Sequence, residues 1–197
     1  MYENLFKSPL HRVFLYGTLK RGEPNHEFIC NKANGYAKFL GIGKTVDKYP
    51  LVIATRYNIP FLLHKPGIGN QVLGEVYDVD SKMLERMDAF EEHPDFYTRM
   101  DADVYLAPDK PNFDFESEIS CAVKAGIYFL PKFKSTLLEL PMYGSYSSSG
   151  NHGLKYAERY NRDTSHNHRA ENLITLQEKK LIEFFSDGDS AKPEDVM

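Results

Sequence analysis

Seven short runs rich in aromatic and β-branched residues, each stopped by a glycine, a proline or a polar turn, dominate the chain between residues 12 and 130. They fall at 12–16, 36–46, 51–55, 60–64, 72–79, 96–106 and 119–130, with Gly17, Tyr49-Pro50, Asn58-Ile59-Pro60 and Lys65-Pro66-Gly67 among the breakers. Strands so closely spaced predict an antiparallel sheet that curls on itself. Two helices interrupt the pattern. Pro24 suits the first turn of a short one over 24–29. Asp80 or Ser81 caps a longer one that carries Met83, Leu84, Met87 and Phe90, and His93-Pro94 ends it.

The 197 residues suffice for one domain with a sizeable core and an appended tail. Lysine and arginine number 24 against 28 acidic residues, for a net charge of −4. That balance lacks the basic excess that nucleic-acid or anionic-membrane binding needs, and it favours a small-molecule or protein partner. No apolar run approaches membrane-spanning length, the first residues lack a signal-peptide core, and a cytoplasmic location is expected. Cys30 and Cys121 stand outside any C-x-x-C pair and read as buried, apolar thiols. After Tyr156 the character changes. Residues 158–168 are polar, and 169–185 show helical apolar spacing through Leu173, Leu176, Ile182 and Phe185. The expected division is a main domain over 1–157 and an extension over 158–197, whose helix docks on the domain, contacts a protein partner, or does neither.

Two segments carry candidate chemistry. The strand Val13-Phe14-Leu15 runs directly into Tyr16-Gly17-Thr18-Leu19 and then a basic turn, Lys20-Arg21-Gly22. Glycine at 17 permits a conformation closed to other residues, so flanking N–H groups can converge on a carboxylate or an oxyanion. The second segment is Asp88-Ala89-Phe90-Glu91-Glu92. At about 100° per residue, Glu91 follows Leu84 and Met87 on the apolar stripe, whereas Glu85, Asp88 and Glu92 share the flank that faces water. A carboxylate among apolar neighbours has its charged form disfavoured, which raises its pKa toward the range useful for general acid–base work. Spacing leaves a second reading equally open: the helix stops short of Glu91, which then salt-bridges an arginine such as Arg99.

The eleven residues Tyr16-Gly17-Thr18-Leu19-Lys20-Arg21-Gly22-Glu23-Pro24-Asn25-His26 resemble the opening of the γ-glutamylamine cyclotransferases, a branch of the γ-glutamylcyclotransferase-like (AIG2-like) family. Asp88-Ala89-Phe90-Glu91, Pro94 and Tyr97-Thr98-Arg99 match that family's Asp-x-Phe-Glu, Pro, Tyr-x-Arg series. Further matches are Tyr49-Pro50-Leu51-Val52-Ile53, Asn58-Ile59-Pro60-Phe61-Leu62-Leu63-His64, Gly74-Glu75-Val76-Tyr77 and the stretch from Ser145 to Leu154. The resemblance implies an α+β fold, a small barrel-like antiparallel sheet with flanking helices. It implies Glu91 as the catalytic glutamate, Tyr16, Gly17, Thr18 and Leu19 as the substrate-binding loop, and a reaction that uses neither metal nor other cofactor. The Tyr-Gly-Thr loop and Asn58-Ile59-Pro60 favour the γ-glutamylamine branch. One departure stands out: Gly144 and Ser147 flank the late tyrosine region where relatives are expected to carry an acidic residue, which predicts recognition of a different amine.

The implied reaction releases 5-oxoproline and a free amine from γ-glutamylamines such as γ-glutamyl-ε-lysine, with Glu91 shuttling the proton. Tyr97 is expected to close over the ring, to hydrogen-bond Glu91, or only to pack in its strand, and Tyr146 is in a similar position. Two rivals remain: a cyclotransferase for γ-glutamyl amino acids or glutathione, and a catalytically silent module that keeps the pocket and recruits a partner through its tail. Other signals fall away. Gly41-Ile42-Gly43-Lys44-Thr45 ends like a phosphate loop, but Lys38 stands where the first glycine is required. His152, His166 and His168 lack metal-ligand spacing, and no G-x-S-x-G elbow surrounds Ser147-Ser148-Ser149.

Overall fold

A computed structural model describes residues 9–110, 115, 121–158 and 162. The strands are β1 (His11–Leu15), β2 (Ala37–Thr45), β3 (Leu51–Ala54), β4 (Ile59–Leu62), β5 (Leu73–Val79), β6 (Thr98–Ala107) and β7 (Cys121–Phe129). They are joined by helices α1 (Glu27–Cys30) and α2 (Ser81–Phe90) and a late 3₁₀ turn, Ser135–Glu139. Five strands close a barrel in the order β1-β5-β2-β6-β7, and β3 pairs with β4 in a separate two-stranded sheet. The barrel expectation holds with one refinement: the seam that closes it, β1 against β7 at Val13 and Gly126, is parallel. Every other joint is antiparallel.

Period-two alternation decides what each strand buries. On β1, Phe14 joins Val76, Val104, Ile127 and Phe129 in one cluster, while Val13 and Leu15 join Tyr77, Val79, Met83 and Met87 in another. Two glycines make room for the first. Gly43 and Gly74 face each other across β2 and β5, and a Cβ at either would stand within 3 Å of the Phe14 ring. The glycines of the segment that imitates a phosphate loop therefore serve packing. Gly41 marks a bulge, since the β2–β5 register shifts between Phe39 and Gly41.

Helix α2 starts where the sequence predicts. Asp80 caps it, its side chain accepting from the Met83 N–H at 2.8 Å, and Met83, Leu84 and Met87 are buried. The cysteine expectation fails: Cys30 and Cys121 are both exposed, Cys30 at the last position of α1 and Cys121 at the first of β7. The predicted helix over 169–185 and His166 and His168 lie outside the described residues. Among the described residues no helix is long and apolar enough to cross a membrane.

Candidate active site

Helix α2 stops at Phe90, and Glu91 is its C-cap. The Glu91 N–H donates to the Met87 carbonyl at 2.9 Å, Glu92 to Ala89 at 3.3 Å and His93 to Asp88 at 2.8 Å. The last two are the paired bonds of a Schellman ending, which puts the following residue in the left-handed region. Glu92 fills it with φ +55° where glycine is usual. The helix thus ends where the second reading placed its end. Arg99, however, is engaged elsewhere.

Arg99 on β6 closes in two-pronged fashion on Asp88, Nε to Oδ1 at 2.9 Å and Nη2 to Oδ2 at 3.1 Å. The Tyr128 hydroxyl on β7 adds a bond to Oδ1 at 2.6 Å. Asp88 was expected on the flank facing water; it is instead half-buried and ties the end of α2 to the barrel. Burial pushes its carboxyl up, but the Arg99 guanidinium, the Tyr128 hydroxyl and His93 outweigh it and hold the group below its ordinary range.

One cavity brings the five predicted site residues together. Its walls include Tyr16, Gly17, Thr18, Leu19 and Glu91, with Asn25, Ile59, Pro60, Phe96, Tyr97 and Tyr128 beside them. The Glu91 charge is felt inside it. Burial chiefly, and then Glu91, raises the Tyr16 phenol, and Glu91 also helps raise Tyr128 after burial and Asp88. The Tyr16 hydroxyl donates to the Tyr128 carbonyl at 2.8 Å.

The loop is shaped differently from expectation. Gly17 does not take a positive φ; that conformation belongs to Gly22, at +77°. A Cβ at 17 would stand 3.2 Å from Cγ of Pro60, a tight approach that glycine avoids. The turn is held through carbonyls, with Lys20 N–H on Gly17 and Asn25 N–H on Thr18 at 2.9 Å. The N–H groups of Gly17, Thr18 and Leu19 meet no backbone acceptor outside the strand ladders among the described residues.

Beneath the loop, Glu75 on β5 is 6% exposed and accepts the Arg21 N–H at 3.0 Å, Arg21 Nε at 2.8 Å and the Tyr77 hydroxyl at 2.9 Å. Arg21 also reaches Asp109 and stacks over Phe39. Lys20 donates to the Tyr146 carbonyl, and burial lowers its ammonium pKa. This basic pair is structural fastening.

Tyr97 lines the cavity, stacks on Phe61 and reaches the Pro60 carbonyl at 3.4 Å. Tyr146 is buried beside His152, outside the described lining, and its hydroxyl has no partner among the described residues. Sequence reasoning assigned no role to Asn25, Tyr128, Tyr156 or Arg162, which also line the cavity. Asn25 sits inside the quoted loop motif and was within reach; the other three come from distant segments with no shared spacing. No cluster of three or more His, Cys, Asp or Glu suited to a metal occurs among the described residues.

Comparison with known proteins finds clear relatives. The family described as "Gamma-glutamyl cyclotransferase, AIG2-like" matches residues 13–148. The human gamma-glutamylaminecyclotransferase is 46% identical over 150 residues, covering 76% of this chain and 98% of that protein. The zebrafish (Danio rerio) gamma-glutamylaminecyclotransferase C is 45% identical over 152 residues, covering 77% and 96%. A crystal structure of an AIG2-like protein from Mus musculus superposes with a TM-score of 0.70 at 41% identity, covering 78% of this chain and 99% of that one.

Proposed function

Because this chain belongs to the AIG2-like gamma-glutamyl cyclotransferase family and is a cyclotransferase of that kind, we propose that it releases 5-oxoproline and a free amine from γ-glutamylamines, γ-glutamyl-ε-lysine being the leading candidate. The observation that carries the reading is the convergence of Glu91 and the Tyr16–Leu19 turn on one cavity. Relatives that bear the γ-glutamylamine name support the choice of substrate class.

The substrate's α-amine is the nucleophile and its γ-carbonyl the electrophile. Holding the two in contact is worth an effective molarity of roughly 10⁵ M or more, so the protein's work is to fold the substrate and move protons. In this reading Glu91 takes a proton from the α-ammonium. The amine attacks the γ-carbon, Glu91 returns the proton to the leaving nitrogen as its C–N bond breaks, and the second proton shed by the ring nitrogen goes to the freed amine, which departs as an ammonium. The N–H groups of Gly17, Thr18 and Leu19 face the substrate as donors for its carboxylate or for the oxyanion. Asp88, fastened by Arg99 and Tyr128, keeps Glu91 in register one turn away. We read 1–157 as the catalytic domain and 158–197 as an extension.

The test is 5-oxoproline release from γ-glutamyl-ε-lysine by the native protein and by Glu91→Gln, which keeps shape and removes the titrating group. The expected result is turnover by the first and a loss of about a hundredfold or more in kcat by the second. Turnover of glutathione or γ-glutamyl-alanine in preference to γ-glutamylamines would move the protein to another substrate class. Activity retained in Glu91→Gln would remove Glu91 from the chemistry.

A further inference from the structure

We propose that Arg162 binds a carboxylate of the substrate, extending the active site beyond the stretch matched to the family. The inference rests on the cyclotransferase reading above. It starts from the lining of the cavity: among the described residues Arg162 is its single lysine or arginine, and it shares that lining with the Tyr16–Leu19 loop and Glu91. Every γ-glutamyl compound brings at least one α-carboxylate into that space. A guanidinium on the wall gives that carboxylate an opposite charge to meet as it leaves water.

Arg162 is held in place for this. Its Nε donates to the Ala157 carbonyl at 3.0 Å, and its guanidinium carbon lies 5.4 Å from the Tyr57 ring centre and 5.1 Å from that of Tyr156. With Nε so used, a two-pronged grip on a carboxylate would come from the edge formed by the two terminal nitrogens. Residues 155–157 are pinned as well. Asn58 Nδ2 donates to the Lys155 carbonyl at 2.7 Å and the Ala157 N–H to the Tyr57 carbonyl at 3.0 Å. Asn25 Nδ2 spans the Tyr156 hydroxyl at 3.0 Å and Thr18 Oγ1 at 2.8 Å. The same asparagine thus joins the substrate loop to Tyr156, over whose ring the guanidinium lies.

The test compares Arg162→Gln and Arg162→Lys with the native protein on two substrates, γ-glutamyl-ε-lysine and γ-glutamyl-butylamine, whose amine has no carboxylate. Arg162→Gln is expected to raise KM about tenfold to a hundredfold with kcat within about threefold, and Arg162→Lys to recover part of the loss. A rise on both substrates assigns the contact to the glutamyl carboxylate; a rise on the lysine compound alone assigns it to the leaving amine. Unchanged KM on both, with or without a lower melting temperature, overturns the proposal and leaves Arg162 a packing cation on Tyr57 and Tyr156. Calorimetric titration of both compounds into Glu91→Gln, with and without Arg162→Gln, reads binding without turnover. Binding that depends on Arg162 in a protein that never releases 5-oxoproline upholds the proposal while overturning the reaction, and binding indifferent to Arg162 overturns the proposal alone.

Discussion

Replacing Asp88 with asparagine tests whether the end of α2 is fastened to the barrel through charge. The substitution keeps volume and removes the anion that Arg99 grips twice and Tyr128 once. A hydrogen bond to a charged group contributes about 1.5–3 kcal/mol, but these three share one acceptor. The Arg99 and Asp88 side chains are 27% and 24% exposed, enough for water to soften the loss, yet the guanidinium is left without its partner. The expected destabilisation is about 3 kcal/mol, which for a chain of this size lowers Tm by about 6–12 °C.

The pH dependence gives the result its sign. Asp88 titrates below its ordinary range when folded, so its contribution is complete above the unfolded pKa, near about 4, and is lost as pH falls through the folded value. The gap between native and Asp88→Asn is therefore full at about pH 6 and closes below about pH 4. Thermal denaturation followed by circular dichroism across that range reads it directly. Asp103→Asn serves as the control, because its pair with Lys124 is 52% and 71% exposed and is expected to cost less than about 1 kcal/mol. A shift under about 2 °C at pH 6, or a gap that widens as pH falls, would refute the reasoning.

Two further outcomes follow from packing. Glu75→Gln keeps the shape but removes the charge that holds Arg21 and the turn above it; a loss of about 2–3 kcal/mol in urea denaturation is expected, with a raised KM as the loop loosens. Gly74→Ala drives a methyl group toward the Leu15 carbonyl and the Phe14 ring, and because a backbone atom cannot rotate away, stability should fall by about 2–4 kcal/mol without loss of the catalytic residues.

Local pattern determined a great deal. Strand positions, the Asp80 cap and the stripe of Met83, Leu84 and Met87 follow from period and turn chemistry, which act over a few residues and are written in consecutive letters. The motifs around Gly17 and Glu91 picked out the two segments that meet at the cavity. What local pattern could not carry was the pairing of distant segments. Period two does not say which strand closes the barrel, so the parallel seam of β1 and β7 emerged only in three dimensions. Helical spacing carried Glu91 onto the stripe of α2, but the Schellman turn ends the helix before it and brings it to the cavity as a cap. Gly17 suggests a positive φ from its own residue type, whereas it takes none, and what it meets is the ring of Pro60 from a distant segment. Cys30 and Cys121 turned outward because exposure depends on the neighbours an element happens to face. Asp88, Tyr128 and Arg162 show the same division. A side chain's charge and shape are fixed by its residue type, but its role depends on partners brought close by the closing of the barrel.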